Sequence, residues 1–503
     1  MSSSKRLTSL SGIAQRAVLP GYEPANHRSG IVHLGPGAFH RAHQAVYTDA
    51  ALAASGGDWR ITGISMRSRQ VADALNQQNG LYTLLERGSI GSRARVIGSI
   101  EKVIALVDRP DAAMTALTDP ATRIVSMTVT EKAYGIDRSA NCADPEHPAV
   151  AADLIGLADL PGRDAPLARR PTGVLGLLVE SLRQRRAKGL PAFTLLCCDN
   201  LPNNGALLKA GLLDFAHRLD PKLAEWIADN ATFPSTMVDR ITPASTDQTS
   251  ATCQDWTGRE DRACVETEEF SQWVIEDNFA NGRPDWEAGG ALFVADVAPF
   301  EKMKLRMLNG AHSMLAYAGY LCGRMYVRDV MAHPYLSRLV VRHMAAAAVT
   351  LKPLNGINYV DYAVQLNDRF KNPALAHETY QIAMDGTEKL PQRLLLPAVD
   401  ALAAGQDVRP FAFAVAAWMR YCTGLSESGQ YYALRDPREA DIKKLLKPAR
   451  TAREISRALH GMEGLFPQEL KLDRGWREVV EEILALILLE GIETAMVQEA
   501  SPT

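Results

Sequence analysis

The 503-residue chain lacks any apolar run long enough to cross a bilayer. Runs such as Phe411 to Met419 and Ile483 to Leu489 fall well short of the ~18 residues a spanning helix needs. Its seven cysteines (Cys142, Cys197, Cys198, Cys253, Cys264, Cys322 and Cys422) are odd in number and scattered, with no Cys-x-x-Cys pair. That argues against a disulfide framework and for a reduced compartment. Neither sign of charge is in excess, because 55 Lys+Arg against 58 Asp+Glu leave a net charge of -3. No overall field draws nucleic acid or anionic lipid, so neither is an expected partner. The 27 prolines and 36 glycines show no bias toward disorder or fibre. The first twelve residues carry no apolar core of a secretory leader, no solenoid period repeats along the chain, and a cytoplasmic protein is expected.

What is present fits a large folded protein. With 47% hydrophobic and 22% charged residues, the length suits two to four domains with a sizeable core. Apolar runs at 30–34, 59–66, 94–97, 123–129 and 193–198 read as strands, with helical patterns at 41–53 and 172–188 between some of them. The fold class expected is α/β, a Rossmann-type, mostly parallel sheet domain followed by a mainly α-helical C-terminal domain. Helical patterns at 302–320, 336–350 and 477–498 place the boundary near Val297, giving residues 1–297 and 298–503. Between Ser139 and Gly173 the composition turns to Pro, Ala, Asp and Arg, which predicts a long surface excursion.

The first strand runs into Gly35-Pro36-Gly37-Ala38-Phe39-His40 and then a helix. In a dinucleotide turn the first glycine makes the bend, the second admits the pyrophosphate, and the helix N-terminus supplies N-H groups. Gly35 and Gly37 suit both tasks, whereas His40 stands at the third glycine position and should hold helix and strand further apart. A Gly-x-Gly after a strand can also be an ordinary turn. The end of the second strand, Met66-Arg67-Ser68-Arg69, holds no acid to bind a ribose 2′-hydroxyl, so NADP stays admissible beside NAD.

The densest chemistry lies in Phe300 to His312. Wound as an α-helix, Lys304, His312 and Asn309 fall at about 0°, 80° and 140°, sharing one broad face, with Lys304 roughly 12 Å along the axis from His312. A buried lysine of lowered pKa can serve as base to an alcohol, with Asn309 and His312 as hydrogen-bond partners of the substrate. The same residues also suit a snorkelling lysine and a satisfied core histidine. No Tyr-x-x-x-Lys occurs among the fourteen tyrosines and no cysteine spacing suggests zinc, which leaves a metal-free lysine route.

On these residues the chain resembles the mannitol dehydrogenase family of long-chain polyol dehydrogenases. The likeness runs nearly end to end, through Ile31 to Gln44, Thr128 to Lys132, Cys198 to Leu201, Met237 to Ile241, Trp273 to Asp277 and the Lys304-x-x-x-x-Asn309-x-x-His312 signature. The resemblance implies a cleft between two domains, with Lys304 as general base, Asn200 and Asn309 as the oxyanion pair, His312 orienting substrate and Glu301 relaying the proton. It implies NAD held by Gly35, Pro36, Gly37, Ala38, Phe39 and His40 with Arg67, Thr130 and Asp239, and it implies a monomer. The stretch His377 to Arg393 looks closer to the fructuronate reductase branch. Lys389 and Arg393, with His377, are expected to meet a sugar-acid carboxylate. D-Mannonate and D-fructuronate are therefore favoured, with mannitol and fructose as the alternative pair and a nucleotide-binding sensor without chemistry as a reading of a different class.

Overall fold

A computed structural model describes residues 5–14, 16–89, 91–158, 170–354, 356–373 and 377–501. Its contacts divide the chain into two units, Met1–Ala298 and Pro299–Thr503.

The first unit is built on five parallel strands, β1 (Ser29–Leu34), β2 (Arg60–Ser65), β3 (Ile100–Ala105), β4 (Ile124–Met127) and β5 (Thr194–Cys197), in the order β5-β4-β1-β2-β3. β2, β4 and β5 are buried at every residue, as strands covered by helices on both faces must be. The order reverses between β1 and β4, and in open α/β sheets ligands bind beyond the strand ends at that point. Nothing in the sequence pattern marks β3, because Glu101 and Lys102 interrupt its apolar run. The expected strand at 94–97 lies outside this sheet. As part of Ser92–Ile97 it pairs antiparallel with Tyr82–Arg87 in a four-stranded sheet, and the unit also holds a three-stranded and a two-stranded sheet.

The helix expected over 41–53 is two helices, Ala38–Ala42 and Gln44–Ser55. His43 leaves helical geometry at φ -125° and ψ -94° while its ring Nε2 lies 2.9 Å from the Gln272 carbonyl, a tertiary bond that no local pattern encodes. The expected excursion from Ser139 is also more ordered than its composition suggests. Pro148–Ala158 is a helix that buries Val150 and Leu157, and the Asp153 carboxylate accepts the Thr172 and Gly173 N-H groups at 3.0 and 2.8 Å. Pro161 and Pro166 lie outside the described residues.

The second unit is helical. Gly310–Leu321 and Arg409–Tyr421 pack on each other at its centre, and every residue of the latter from Pro410 onward is buried. Its continuous apolar run from Phe411 to Met419 belongs in a core, and the helix is the hub on which Arg474–Glu490 also packs. The expected helix at 477–498 breaks at Gly491, whose φ of 88° only glycine adopts readily. Phe411 is fully buried in the central helix. Phe411→Ala should lower stability by about 3–5 kcal/mol, read as an earlier denaturant midpoint.

Candidate active site

The glycine turn of the first unit is fixed by a backbone approach. Gly35 has φ +85°, and a Cβ there would sit 2.4 Å from the Thr128 carbonyl oxygen at the end of β4. Only glycine satisfies both conditions. Gly37 N-H donates to the Gly35 carbonyl at 2.7 Å, and a Cβ on Gly37 would meet only that carbonyl oxygen, at 3.9 Å. The exposed side of Gly37 is thus open for a ligand to come close to the backbone, as a pyrophosphate requires. Pro36 lies over β2, where Gly63 makes room for its ring.

His40 does more than replace a glycine. It is fully buried and stacks on His33 of β1, ring centroids 3.5 Å apart and planes 17° from parallel. The extra bulk expected to separate helix and strand is accommodated by this stack. His33 in turn connects both sides of the strand reversal, with Nδ1 2.8 Å from Ser126 Oγ and Nε2 2.9 Å from Thr128 Oγ1. Thr128 Oγ1 donates to the Gly35 carbonyl at 2.9 Å, so it must accept from His33 Nε2-H, and His33 Nδ1 must accept from Ser126. Burial pushes the His33 pKa down to about 3 and that of His40 well below the usual imidazole range, so both rings are neutral.

The other expected cofactor and oxyanion residues of this unit stand at strand ends. Thr130 follows β4 with φ +75°, a strained value for a β-branched residue, and Val129 N-H donates to Asp199 Oδ2 at 2.9 Å. Asp199 also accepts from Tyr134 Oη at 2.7 Å, and burial raises its pKa. Asn200, the next residue, is exposed beyond β5. Asp239 is buried at the end of Thr236–Asp239, close enough to Tyr47 to act on its ionisation. Arg67 is exposed after β2.

In the second unit the signature residues do not lie on a plain α-helix. Ala298–Met303 and Gly310–Leu321 are α-helical, but Lys304–Asn309 between them is wound as a π-helix. Its wider turn alters the angular offsets calculated for a uniform helix, and such segments recur at functional sites. Arg306 anchors it, donating to Thr350 O and Oγ1 at 3.0 and 2.7 Å and to Asp400 Oδ2 at 2.5 Å. A second π segment, Pro391–Leu395, carries Arg393. The two meet at Gly310, where a Cβ would fall 2.8 Å from the Arg393 carbonyl oxygen and 2.9 Å from His343 Nε2.

Around this crossing the structure gathers several expected site residues. His312 is buried, its ring 5.5 Å from His377 at 84° and 4.5 Å from Phe370. Burial first, then the nearby charges of His377, Arg369, Arg393 and Lys304, drive its pKa well below the usual value. A neutral His312 is a hydrogen-bond partner and no reservoir of charge. His312 Nε2 and His377 Nδ1 are buried with no hydrogen-bond partner among the described residues. Arg393 donates to Ser313 Oγ at 3.3 Å. Lys389 donates to the Met384 carbonyl at 2.5 Å and lies 3.5 Å from Asp385, so it is tied more closely to its own loop than a substrate-facing cation requires. Burial, then the Arg393 charge, lowers its pKa. Lys304 and Asn309 are half-buried at the two ends of the π segment, and Glu301 is half-buried one turn before it. Arg369 and Phe370 carry no motif, and only the packing of Tyr359–Phe370 brings them to the site. Among the described residues no group of three or more His, Cys, Asp or Glu is arranged to hold a metal ion, and no helix is long and apolar enough to cross a membrane.

Residues 29–288 match the profile of the mannitol dehydrogenase Rossmann domain and residues 296–486 that of the mannitol dehydrogenase C-terminal domain. The chain is 43% identical to a D-mannonate oxidoreductase of Escherichia coli over 90% of this chain and 91% of that protein. It is 36% identical to a mannitol 2-dehydrogenase of Phaeosphaeria nodorum over 99% of this chain and 85% of that one. Among solved structures, Pseudomonas fluorescens mannitol 2-dehydrogenase in a ternary complex with NAD and D-mannitol superposes with a TM-score of 0.82 at 36% identity, covering 98% and 99% of the two chains. A substrate-free D-sorbitol dehydrogenase gives 0.89 at 32% identity, covering 98% and 100%.

Two outcomes follow from the geometry. Gly310→Ala should force the π segments apart and lower turnover at least ~10-fold, with nucleotide binding measured in parallel as the control, because sub-ångström misplacement of reacting groups is costly. Neutral buried histidines bind protons more readily unfolded than folded, so stability should rise with pH through their window. It should be fully present above pH 6.5 and fall as pH drops toward the folded values of about 3 for His33 and about 4 for His343 and His460. Denaturant midpoints measured from pH 7 to 4 check this, and His33→Gln should make the decline shallower.

Proposed function

Because the chain belongs to the mannitol dehydrogenase family, we propose that it is an NAD-dependent oxidoreductase acting on a sugar acid, interconverting D-mannonate and D-fructuronate. The observation that carries the substrate choice is the cationic setting of His312, with Arg369 and Arg393 both close enough to depress its protonation. A carboxylate substrate would be stabilised by these charges, and a guanidinium can bind it at two points. The 43% identity to a D-mannonate oxidoreductase supports the same choice.

The nicotinamide cofactor, when bound, accepts or supplies the hydride. Residues of the first unit suit its pyrophosphate, since Gly35 and Gly37 leave an open backbone and His33 holds the turn through Thr128. The proton is the task of the second unit. In the oxidative direction Lys304, as the neutral amine, takes the proton of the substrate hydroxyl, and in the reductive direction its ammonium returns it. Asn200 and Asn309 donate to the developing alkoxide, and neutral His312 offers Nε2 to a neighbouring hydroxyl. Glu301, one turn before Lys304, passes the proton onward. The route uses no metal, and the protein acts as a soluble cytoplasmic monomer.

A second reading, a mannitol 2-dehydrogenase with the same proton chemistry, is favoured by the fold-wide likeness to the Pseudomonas fluorescens enzyme. Initial rates with D-mannonate and D-mannitol under NAD separate the two, and D-mannonate should be the better substrate. Lys304→Ala should lower kcat at least ~100-fold, the lower range for loss of a general acid or base. Unchanged turnover would remove the mechanism and leave a nucleotide-binding sensor.

A further inference from the structure

We propose that Asn204 is a positioning residue for Asn200, fixing the turn that carries this alkoxide donor against the strand that ends at Asp239. The inference rests on the dehydrogenase reading of Asn200 and adds the side chain that aims it. Asn200 is exposed beyond β5, so the backbone beneath it has to be held by other residues. A donor serves a developing alkoxide only when it is already in place before the reaction.

That backbone is a γ-turn. The Leu201 N-H donates to the Asp199 carbonyl at 2.8 Å, which makes Asn200 the central residue of a three-residue turn. The same carbonyl accepts from Asn204 Nδ2 at 3.1 Å. Asn203, at φ +50°, leads into the helix Asn204–Leu219, of which Asn204 is the first residue. Asn204 is buried, and both ends of its carboxamide are engaged. Its Nδ2 also donates to the Thr236 carbonyl at 2.9 Å, and its Oδ1 accepts from the Thr236 N-H at 2.9 Å. These partners admit a single orientation of the amide, since only the oxygen can accept from an N-H.

The pairing with Thr236 has a physical reason. Thr236–Asp239 is an edge strand of the three-stranded sheet, and an edge presents unpaired N-H and C=O groups. A carboxamide carries the same donor and acceptor as a peptide group, so Asn204 satisfies that edge as a neighbouring strand would. Thr236 Oγ1 adds a bond to the Cys197 carbonyl at the end of β5, at 2.7 Å. From the other side the Asp199 carboxylate accepts from Val129 N-H and Tyr134 Oη. The turn around Asn200 is thus tied through the Asp199 side chain to the loop of Thr130, and through the Asp199 carbonyl and Asn204 to the strand of Asp239.

A double-mutant cycle on kcat tests this in the full-length protein, with NAD+ and the better of D-mannonate and D-mannitol. Asn200→Ala, Asn204→Ala and the pair are compared, and thermal midpoints confirm that each is folded. Asn204→Ala should lower kcat at least ~10-fold when Asn200 is present, because small misplacement of a reacting group is costly. Once Asn200 is alanine, the same change should lower it by less than about twofold, because residues that act as a unit are not additive. Equal losses in both backgrounds are what a merely structural role gives, and they would overturn the proposal. So would unchanged turnover in Asn204→Ala. If Asn204→Ala does not fold, the isosteric Asn204→Asp, which keeps Oδ1 and loses the amide hydrogens, goes through the same cycle and is judged by the same outcomes. Unchanged turnover in Asn200→Ala would overturn the reading of Asn200 as alkoxide donor, and this inference with it. No turnover of either substrate by the unaltered protein would overturn the dehydrogenase reading itself.

Discussion

Close contact between a glycine and a carbonyl from another element is the constraint on which both halves of the chemistry depend. In the first unit the Thr128 carbonyl lies where a Gly35 side chain would begin, and in the second the Arg393 carbonyl lies against Gly310 in the same way. Each contact sets the distance between two functional segments. Thr128 opens the run that leads to Thr130, and Gly35 opens the turn that leads to Gly37. Gly310 follows directly on the π segment that carries Lys304 and Asn309, and Arg393 sits in the other. A methyl group at either glycine would act on chemistry several residues away, because backbone cannot move aside as a flexible side chain can.

Charge is handled differently in the two units. Around the glycine turn the imidazoles are sealed away and neutral; His33 acts through the direction of its hydrogen bonds and His40 through its stack on that ring. Around His312 several cations converge, and burial first, then their charge, keeps the histidine neutral. The first arrangement gives rigidity without charge. The second holds positive potential ready for an anion, and it retains that potential because desolvation strengthens each interaction near the buried ring.

The parts of this fold that could be read from the chain are those where local pattern and tertiary role agree. β1, β2, β4 and β5 are short apolar runs bounded by turn residues, and they form strands where the pattern places them. β3 escaped because an edge position tolerates Glu101 and Lys102, so alternation is lost where one side meets solvent. The break at His43 and the π winding at Lys304 were illegible for another reason. Both are imposed by contacts with residues distant in sequence, Gln272 in one case and Thr350 and Asp400 in the other. The candidate residues stood out in the sequence by their chemistry, whereas Arg369 and Phe370 belong to no motif and reach His312 only through helix packing.

The stack of His40 on His33 bears on how such a turn can change over generations. A glycine at position 40 would leave the face of the His33 ring uncovered, and a smaller residue at 33 would strand the His40 ring with nothing to lie against. Neither site can drift alone without opening a hole beneath the nucleotide loop. A change at either place is therefore felt at the other, as loss of the ring contact that fills the space between helix and strand.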